Sequence, residues 1–246
     1  MPSDEIEWPA PASLPSPDGE AIHVWRATFP ASPEQLLSLA VSLDDAERAR
    51  AARFVRPRDR DRFLGWHGAL RRILGRYLDV APDQVRYVFG PQGKPSLAPE
   101  FAGSRLRFNL AHSGELALVA VRVGREVGID VEQFRPLPDA GAIAATHFSP
   151  HERAALASLA TGEQLPAFFS IWTGKEAFIK AIGQGLSYPL TRFSVPVPPE
   201  HANTQVRLEA GITAAWAVRS FAPGAGYAAA VVGEGLDWDL RRWRFE

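Results

Sequence analysis

The stretch GIDVE, residues 128–132, has the alternation of a β-strand but contains residue types that strands disfavour. Apolar Ile and Val alternate with Gly128, Asp130 and Glu132, which gives one apolar and one polar face. Asp and Gly are depleted in strands. Two interpretations are open at this point: the solvated face of an edge strand, or a face on which two carboxylates serve a bound cation.

Composition limits the classes of function. The chain has 246 residues, 46% hydrophobic and 22% charged, as in an ordinary globular protein. It contains no cysteine, which rules out disulfides and thiolate zinc sites. A net charge of −1 gives no sign of nucleic-acid binding, and no apolar run approaches the ~20 residues of a membrane span. The N-terminus lacks the features of a signal peptide, so we expect a cytoplasmic protein.

GIDVE itself is predicted to be a strand, and residue periodicity predicts the secondary structure on both sides of it. The predicted helices lie at 32–43, 44–54, 58–78, 139–147, 150–160 and 164–182. The other predicted strands lie at 21–29, 86–90, 105–110, 116–123, 192–197, 205–210, 214–221, 226–232 and 238–245.

This order of elements repeats along the chain. A long helix followed by antiparallel strands occurs at 58–123 and again at 164–232. We therefore predict an α+β protein with two similar halves in a pseudo-twofold arrangement, each an antiparallel sheet packed against helices. The expected parts are a flexible, Pro- and Ser-rich N-terminal arm at 1–20, an N-terminal half at 21–126 and a C-terminal half at 127–246. The active site is expected in the cleft between the halves.

A second unusual stretch is WTGKEAFIKAIGQGL, residues 172–186. Glu176 and Lys180 are four residues apart, on one face of the predicted helix. One interpretation is structural: TGKE fits a capping box that begins at Thr173, with Glu176 and Lys180 as a surface ion pair. The apolar residues on both sides of Thr173 argue against a helix start there.

The alternative interpretation joins the two stretches. If Asp130, Glu132 and Glu176 converge on one point, they need a cation between them. Oxygen ligands without His or Cys suit a hard ion such as Mg²⁺, which commonly binds substrate phosphates as well. The neighbouring Lys175 and Lys180 would suit phosphate oxygens.

Other segments are also suited to phosphate. GKPSL places Lys94 on a tight turn, and NLAHSG places His112 and Ser113 between two strands. His112 could instead be a turn residue that bonds its own loop. From Asp44 to Arg76 there are ten Arg and five acidic residues. This basic excess suits a nucleotide, or else a helix surface with interspersed ion pairs.

The ordered set GKP, FNLAHS, GIDVE and WTGKEAFIKAIGQGL resembles the 4′-phosphopantetheinyl transferases of the surfactin-synthetase type. The resemblance covers roughly residues 44–195, and the two-half architecture extends it to about 235. It implies transfer of phosphopantetheine from coenzyme A to a serine of an apo acyl or peptidyl carrier protein, with release of 3′,5′-ADP. Such carriers serve fatty-acid, polyketide or nonribosomal-peptide synthesis. Two halves in one chain already form a cleft, so we expect a monomer.

The resemblance also implies roles for individual residues. Asp130, Glu132 and Glu176 match the ligands of Mg²⁺, and Lys180 matches the lysine that neutralises charge at the pyrophosphate. Gly128 would keep the strand face open. The serine proton would go to Glu176, directly or through a metal-bound water, or to Glu152 in SPHERAAL.

Further residues match coenzyme A-binding positions. His112 would bind the 3′-phosphate, and the other candidates are Arg50, Arg62, Lys94, Ser113 and Lys175. Two positions depart from the pattern: Ala111 stands where the family often has Ser, and Glu47 where some members have Lys.

Two other classes of function were compared with an active transferase. A carrier-binding module without activity would be expected to lose its carboxylates, and this sequence retains all three. A different Mg²⁺-dependent nucleotide enzyme would need a phosphate loop, and neither GxxxxGK[ST] nor GxGxxG after a strand is present.

Overall fold

The computed structural model describes residues 7–11, 19–30, 32–197, 203–208 and 214–246. In the first part of the chain the elements are β1 Ala21–Thr28, α1 Pro33–Ala40, α2 Asp45–Ala51, α3 Pro57–Leu78, β2 Tyr87–Phe89, β3 Pro95–Leu97, β4 Leu106–Ser113 and β5 Leu116–Val123. Short 3₁₀ turns occur at Pro82–Gln84 and Pro99–Ser104.

The second part begins with the strand that contains GIDVE. Its elements are β6 Val127–Gln133, α4 Ala140–His147, α5 Pro150–Ser158, α6 Thr161–Ala181, β7 Phe193–Ser194, β8 Thr204–Gln205, β9 Arg207–Leu208, β10 Trp216–Phe221, β11 Tyr227–Glu234 and β12 Asp239–Arg244. Two 3₁₀ turns lie at Gly185–Ser187 and Leu190–Arg192. The predicted strands 192–197 and 205–210 are shorter than expected, and residues 209–210 lie outside the described residues.

Two four-stranded sheets organise the molecule. The strand order is β12–β1–β5–β4 in the first sheet and β6–β11–β10–β8 in the second. The second sheet is antiparallel throughout. In the first sheet β1, β5 and β4 are antiparallel, as predicted, whereas β12 is parallel to β1.

The layers follow from where the apolar faces are buried. Helix α3 packs on the first sheet, with Leu70 and Ile73 in one apolar cluster with Trp25. Helix α6 packs on the second sheet, with Phe178 buried against Trp216. The other faces of the two sheets share a third cluster that includes strand residues of both. The result is the predicted α+β fold, with a helix outside each sheet.

The last strand departs from the predicted division into halves. Residues 239–244 were expected in the C-terminal half, but β12 pairs with β1 in the first sheet. The ring of Trp243 lies 5.7 Å from that of Trp25 and 4.8 Å from that of His23. Aromatic packing therefore supports this crossover.

Part of the predicted flexible arm is anchored to the fold. Trp8 is 6% exposed, and its ring lies 6.2 Å from that of Phe221. The backbone N–H of Arg244 donates to the carbonyl of Pro9 at 2.9 Å. Residues 7–11 therefore pack against the fold. Residues 1–6 and 12–18 lie outside the described residues.

Candidate active site

Helix α6 lies directly on the polar face of β6. A Cβ atom at Gly128 would collide with backbone atoms of Ala177 and Ala181. The expectation that Gly128 keeps this face open is therefore wrong, because the space is filled by the helix. Asp130 and Glu132 follow on the same face of the strand, so they also lie on the side covered by α6.

Two residues of α6 meet these acids. Lys180 donates to Oδ1 of Asp130 at 2.6 Å. Glu176 is four residues earlier on the same helix face, and its charge affects the titration of Asp130. Asp130 is 6% exposed, and its other oxygen, Oδ2, is buried without a partner among the described residues. The structure thus places Asp130, Glu132, Glu176 and Lys180 within electrostatic reach of one another.

Burial and neighbouring carboxylates raise the pKa of both Asp130 and Glu176. Burial raises the pKa of Asp130 to about 7, and the charges of Glu176 and Glu132 add to the rise while Lys180 opposes it. Burial also raises the pKa of Glu176, where Lys180 opposes the effect, Glu132 adds to it and His147 opposes it. A cation among these acids would relieve both the burial cost and the repulsion.

The donor set fits a hard cation. It offers three carboxylates, and a buried oxygen of Asp130 lacks a partner among the described residues. As the side chains lie, no group of three His, Cys, Asp or Glu in the described ranges is arranged to hold a metal ion. Instead, Lys180 is the cation bound to Asp130, and Arg135 is the one bound to Glu132.

Glu176 is not a helix cap. Helix α6 begins at Thr161, twelve residues before Thr173, and the Thr173 hydroxyl donates to the Ser170 carbonyl at 3.1 Å. The capping-box interpretation of TGKE is therefore wrong. Glu176 lies inside a continuous helix, where it faces the acids of β6.

Glu152 and Lys175 do not reach this cluster. They form an ion pair of 2.8 Å in which both side chains are fully buried. Lys175 also donates to the carbonyls of Leu190 and Phe193, while Glu152 accepts from the backbone N–H of Val195. The predicted roles of Glu152 as base and of Lys175 as phosphate ligand are corrected, because neither group has access to a substrate.

His112 and Ser113 lie at the end of β4, beside the acidic cluster. His112 pairs with Ala117 in the β4–β5 ladder, so it is a strand residue rather than the turn residue of the alternative interpretation. Its ring stacks on Trp66, with centroids 6.3 Å apart. The Ser113 hydroxyl donates to Oε2 of Glu132 at 3.0 Å.

Positive groups surround His112. Partial burial lowers the pKa of His112, and the charges of Lys180, His67 and Arg62 lower it further, against the opposing charge of Glu132. Burial and these positive charges therefore favour the neutral imidazole. Arg62 lies close to this strand end, since it donates to Glu115 at 3.1 Å.

Arg50 and Lys94 lie in different surroundings. Arg50 is exposed on α2, and its guanidinium lies 5.1 Å from the ring centroid of Phe63. Lys94 donates to Glu126 and to the carbonyl of Ala181, both at 2.7 Å. Its contact at 3.4 Å with the carbonyl of Val127 places it at the start of β6. Lys94 and Ser113 therefore lie at opposite ends of that strand.

The acid at position 47 has a structural explanation. Glu47 and Asp44 both bind the guanidinium of Arg71, a fully buried side chain. Glu47 also contacts Nδ1 of His67 at 2.9 Å. A lysine at position 47 would leave Arg71 facing like charge. The ion-pair interpretation of the basic segment is correct for this group.

Sequence reasoning missed three residues next to the site. Asn109 accepts from the backbone N–H of Ile129 at 2.9 Å and so ties β4 to β6. Arg135 donates to Glu132 at 3.1 Å, and Trp66 supports the ring of His112. Asn109 had a signal, an amide between the apolar residues Phe108 and Leu110. The other two contacts depend on tertiary structure.

Two family models match this chain. One, described as the 4′-phosphopantetheinyl transferase superfamily, matches residues 126–232. The other, described as 4′-phosphopantetheinyl transferase, N-terminal, matches residues 26–124. No helix in the described ranges is both long and apolar enough to cross a membrane.

Similar proteins agree with these matches. The 4′-phosphopantetheinyl transferase HetI of Nostoc is 39% identical over 92% of this chain and 93% of its own length. Sfp of Bacillus subtilis is 31% identical over 73% of this chain and 76% of its own. AcpT of Salmonella typhimurium is 35% identical over 56% of this chain and 69% of its own. The chain belongs to the 4′-phosphopantetheinyl transferase superfamily.

Proposed function

We propose that this enzyme transfers 4′-phosphopantetheine from coenzyme A to a serine of an apo acyl or peptidyl carrier protein, with Mg²⁺ and with release of 3′,5′-ADP. The observation that carries the proposal is the contact between α6 and β6, which sets Glu176 and Lys180 over Asp130 and Glu132. Phosphoryl transfer needs this combination of anionic cation ligands and a nearby ammonium group.

The carboxylates of Asp130, Glu132 and Glu176 would hold the ion. Bound Mg²⁺ supplies charge neutralisation at the pyrophosphate. Lys180 binds Asp130 in the structure and is close enough to the cluster to interact with Glu176 as well. In the reaction its ammonium group stabilises the negative charge that develops on the leaving phosphate.

The proton of the carrier serine needs an acceptor. The serine oxygen forms a bond to the phosphorus that bears pantetheine, and the bond from that phosphorus to the leaving 3′,5′-ADP breaks. Glu176 is our candidate base because it belongs to the cluster, whereas Glu152 is enclosed with Lys175. The proton moves from the serine hydroxyl to the Glu176 carboxylate.

The basic groups beside the cluster would bind coenzyme A. His112 lies among Arg62, His67 and Lys180, which suits the 3′-phosphate. Arg50 is exposed and free to contact the nucleotide. Lys94, bound to Glu126 and to the end of α6, would act mainly through the position of its hairpin.

Three finer expectations belong to the same proposal. The likeness to Sfp supports an enzyme of the surfactin-synthetase type. The two matched halves in one chain support a monomer. A cytoplasmic location would give it access to coenzyme A and to carrier proteins.

Product formation tests the proposal against a carrier-binding module without activity. Purified enzyme, coenzyme A and an apo carrier protein should yield 3′,5′-ADP, detected by chromatography, only when Mg²⁺ is present. Excess EDTA should stop the reaction and added Mg²⁺ should restore it. A protein that binds the carrier but releases no 3′,5′-ADP would be the inactive module. Full turnover in EDTA would remove the metal from the mechanism.

A further inference from the structure

Ser113 joins two strands that belong to different sheets. Strand β4 is the edge of the first sheet and β6 is the edge of the second. The Ser113 hydroxyl donates to Oε2 of Glu132 at 3.0 Å and accepts from the backbone N–H of Gln133 at 3.1 Å. Because a hydroxyl has a single proton, these two contacts together fix its direction.

The register between the two strands supports this contact. Asn109, four residues before Ser113, bonds the backbone of Ile129, four residues before Gln133. Two side chains of β4 therefore hold β6 at matched positions. This arrangement makes the Ser113 contact part of the fold rather than a chance approach of two surface groups.

The same contact orients the Glu132 carboxylate. Among the described residues, the hydrogen bonds to this carboxylate come from Ser113 at 3.0 Å and from Arg135 at 3.1 Å, and both go to Oε2. Oε1 is then the oxygen left to face a cation. The hydrogen bonds to Oε2 also restrict rotation of the carboxylate before the metal binds, so less rotational freedom is lost on binding.

We propose that Ser113 is a positioning residue for Glu132, rather than a direct ligand of coenzyme A as the sequence suggested. Its hydroxyl holds one carboxylate oxygen so that the other faces the cation, and it links the strand of His112 to the strand of the acids. This inference rests on the proposed metal site. It predicts that removal of the hydroxyl weakens Mg²⁺ binding and leaves binding of coenzyme A without metal unchanged.

The test measures Mg²⁺ affinity by titration calorimetry on metal-free protein, and coenzyme A affinity separately in EDTA. Ser113→Ala should raise the Kd for Mg²⁺ by about tenfold, the lower end for loss of a group that orients a ligand, because Arg135 still holds Oε2. Its Kd for coenzyme A in EDTA should stay within about twofold. Ser113→Thr keeps the hydroxyl and should restore most of the Mg²⁺ affinity.

Ser96→Ala is the matched control. Ser96 is another strand serine, but its hydroxyl donates to a backbone carbonyl, that of Val88 at 3.5 Å, instead of to a carboxylate, and it lies on the separate β2–β3 hairpin. The Ser96→Ala protein should bind Mg²⁺ as the wild type does.

Ser113→Cys keeps a weak donor of similar shape and should give an intermediate Kd. It serves as the test variant if Ser113→Ala does not fold.

Two results would overturn the inference. One is unchanged Mg²⁺ affinity in a folded Ser113→Ala, or in Ser113→Cys if that is the variant that folds. The other is a loss of coenzyme A affinity in EDTA with Mg²⁺ affinity intact.

Asp130→Ala separates the role of Ser113 from the proposed metal site on which it rests. If Asp130→Ala loses Mg²⁺ and the Ser113 variant does not, only the role of Ser113 fails. If Asp130→Ala keeps wild-type affinity, the metal site and the role of Ser113 fail together.

Discussion

The backbone carbonyl of Ala177 occupies the position where a side chain at residue 128 would begin. A glycine at this point of β6 therefore lets helix α6 approach the strand more closely than any other residue would. The contact lies one residue from Glu176 and two residues from Asp130. The packing of one glycine thus sets the spacing of the acidic cluster.

Gly128→Ala tests this dependence. The added methyl group meets backbone atoms of Ala177 and Ala181, which cannot rotate away. We expect a loss of about 1–3 kcal/mol in the free energy of unfolding, as for other overpacked sites, together with weaker Mg²⁺ binding. Thermal denaturation and calorimetry measure the two effects.

Gly141→Ala is the control, since a Cβ there meets nothing within 4 Å and the residue lies in α4. It should be neutral or slightly stabilising. A Gly128→Ala protein with wild-type stability and metal affinity would show that α6 does not depend on this contact.

The buried pair of Glu152 and Lys175 is expected to stabilise the fold rather than to move a proton. Glu152→Gln leaves the Lys175 ammonium without its carboxylate, and breaking a buried pair costs about 3–5 kcal/mol. For a chain of this size that lowers the melting temperature by about 10 °C. Turnover per folded molecule, measured well below the transition, should remain within about threefold.

Glu163→Gln is a suitable comparison for that variant. Glu152 accepts from the backbone N–H of Ser149 at the start of α5, at 2.7 Å. Glu163 accepts in the same way from the N–H of Ala160 at the start of α6, but it is exposed. Its replacement should cost under about 1 kcal/mol. The assignment of Glu152 would be reversed by a Glu152→Gln protein that melts like the wild type and has lost its turnover.

Asp130 should make stability depend on pH. Its pKa of about 7 in the folded chain exceeds the value near 3.9 of an unfolded one. Between these values the folded protein holds a proton that the unfolded protein lacks. In EDTA the free energy of unfolding should therefore fall as pH rises from about 4 to 7 and then level off.

Asp130→Asn removes this titration. In EDTA we compare the difference in melting temperature, variant minus wild type, at two pH values. This difference should be larger at pH 8 than at pH 5 by about 3 °C or more. Saturating Mg²⁺ should stabilise the wild type at pH 8 and leave the variant unaffected. A difference in melting temperature that is the same at both pH values would refute the burial of an ionisable carboxylate here.

His112 should recognise the 3′-phosphate of coenzyme A. A charge-assisted hydrogen bond is worth roughly 1.5–3 kcal/mol, and a partly solvated site favours the lower end. His112→Ala should therefore raise the Michaelis constant for coenzyme A by about tenfold, with a smaller effect on kcat. Dephospho-coenzyme A lacks that phosphate, so the variant should use it about as well as the wild type does. An unchanged preference between the two substrates would exclude this contact.

Sequence reasoning identified the acidic cluster but not the way it is built. The alternation around Asp130 and the helical spacing of Glu176 and Lys180 are local patterns, and they correctly predicted the strand and the helix that carry these residues. Glu152 and Lys175 were misassigned because burial of an ion pair depends on segments distant in the chain. The role of Gly128 was misjudged for a similar reason, since nothing local shows that a helix will lie on that face.

The division into halves shows the same limit. The repeat of helix and strands predicted two sheets, each covered by a helix. The pairing of β12 with β1 was missed, because it joins residues 239–244 to a strand more than 200 positions earlier. Periodicity reports which face of a strand is buried but not which partner lies beside it.

Mass spectrometry of an apo carrier protein, incubated with coenzyme A, Mg²⁺ and enzyme, tests the central claim most directly. We expect the wild type to add one phosphopantetheine group to the carrier serine. Folded Asp130→Ala should lose nearly all of this activity, because two carboxylates hold the ion weakly. If the wild-type enzyme leaves both acyl and peptidyl carriers unmodified, the proposed transfer activity is wrong. If Asp130→Ala modifies the carrier at the wild-type rate, the proposed role of Asp130 in holding the ion is wrong.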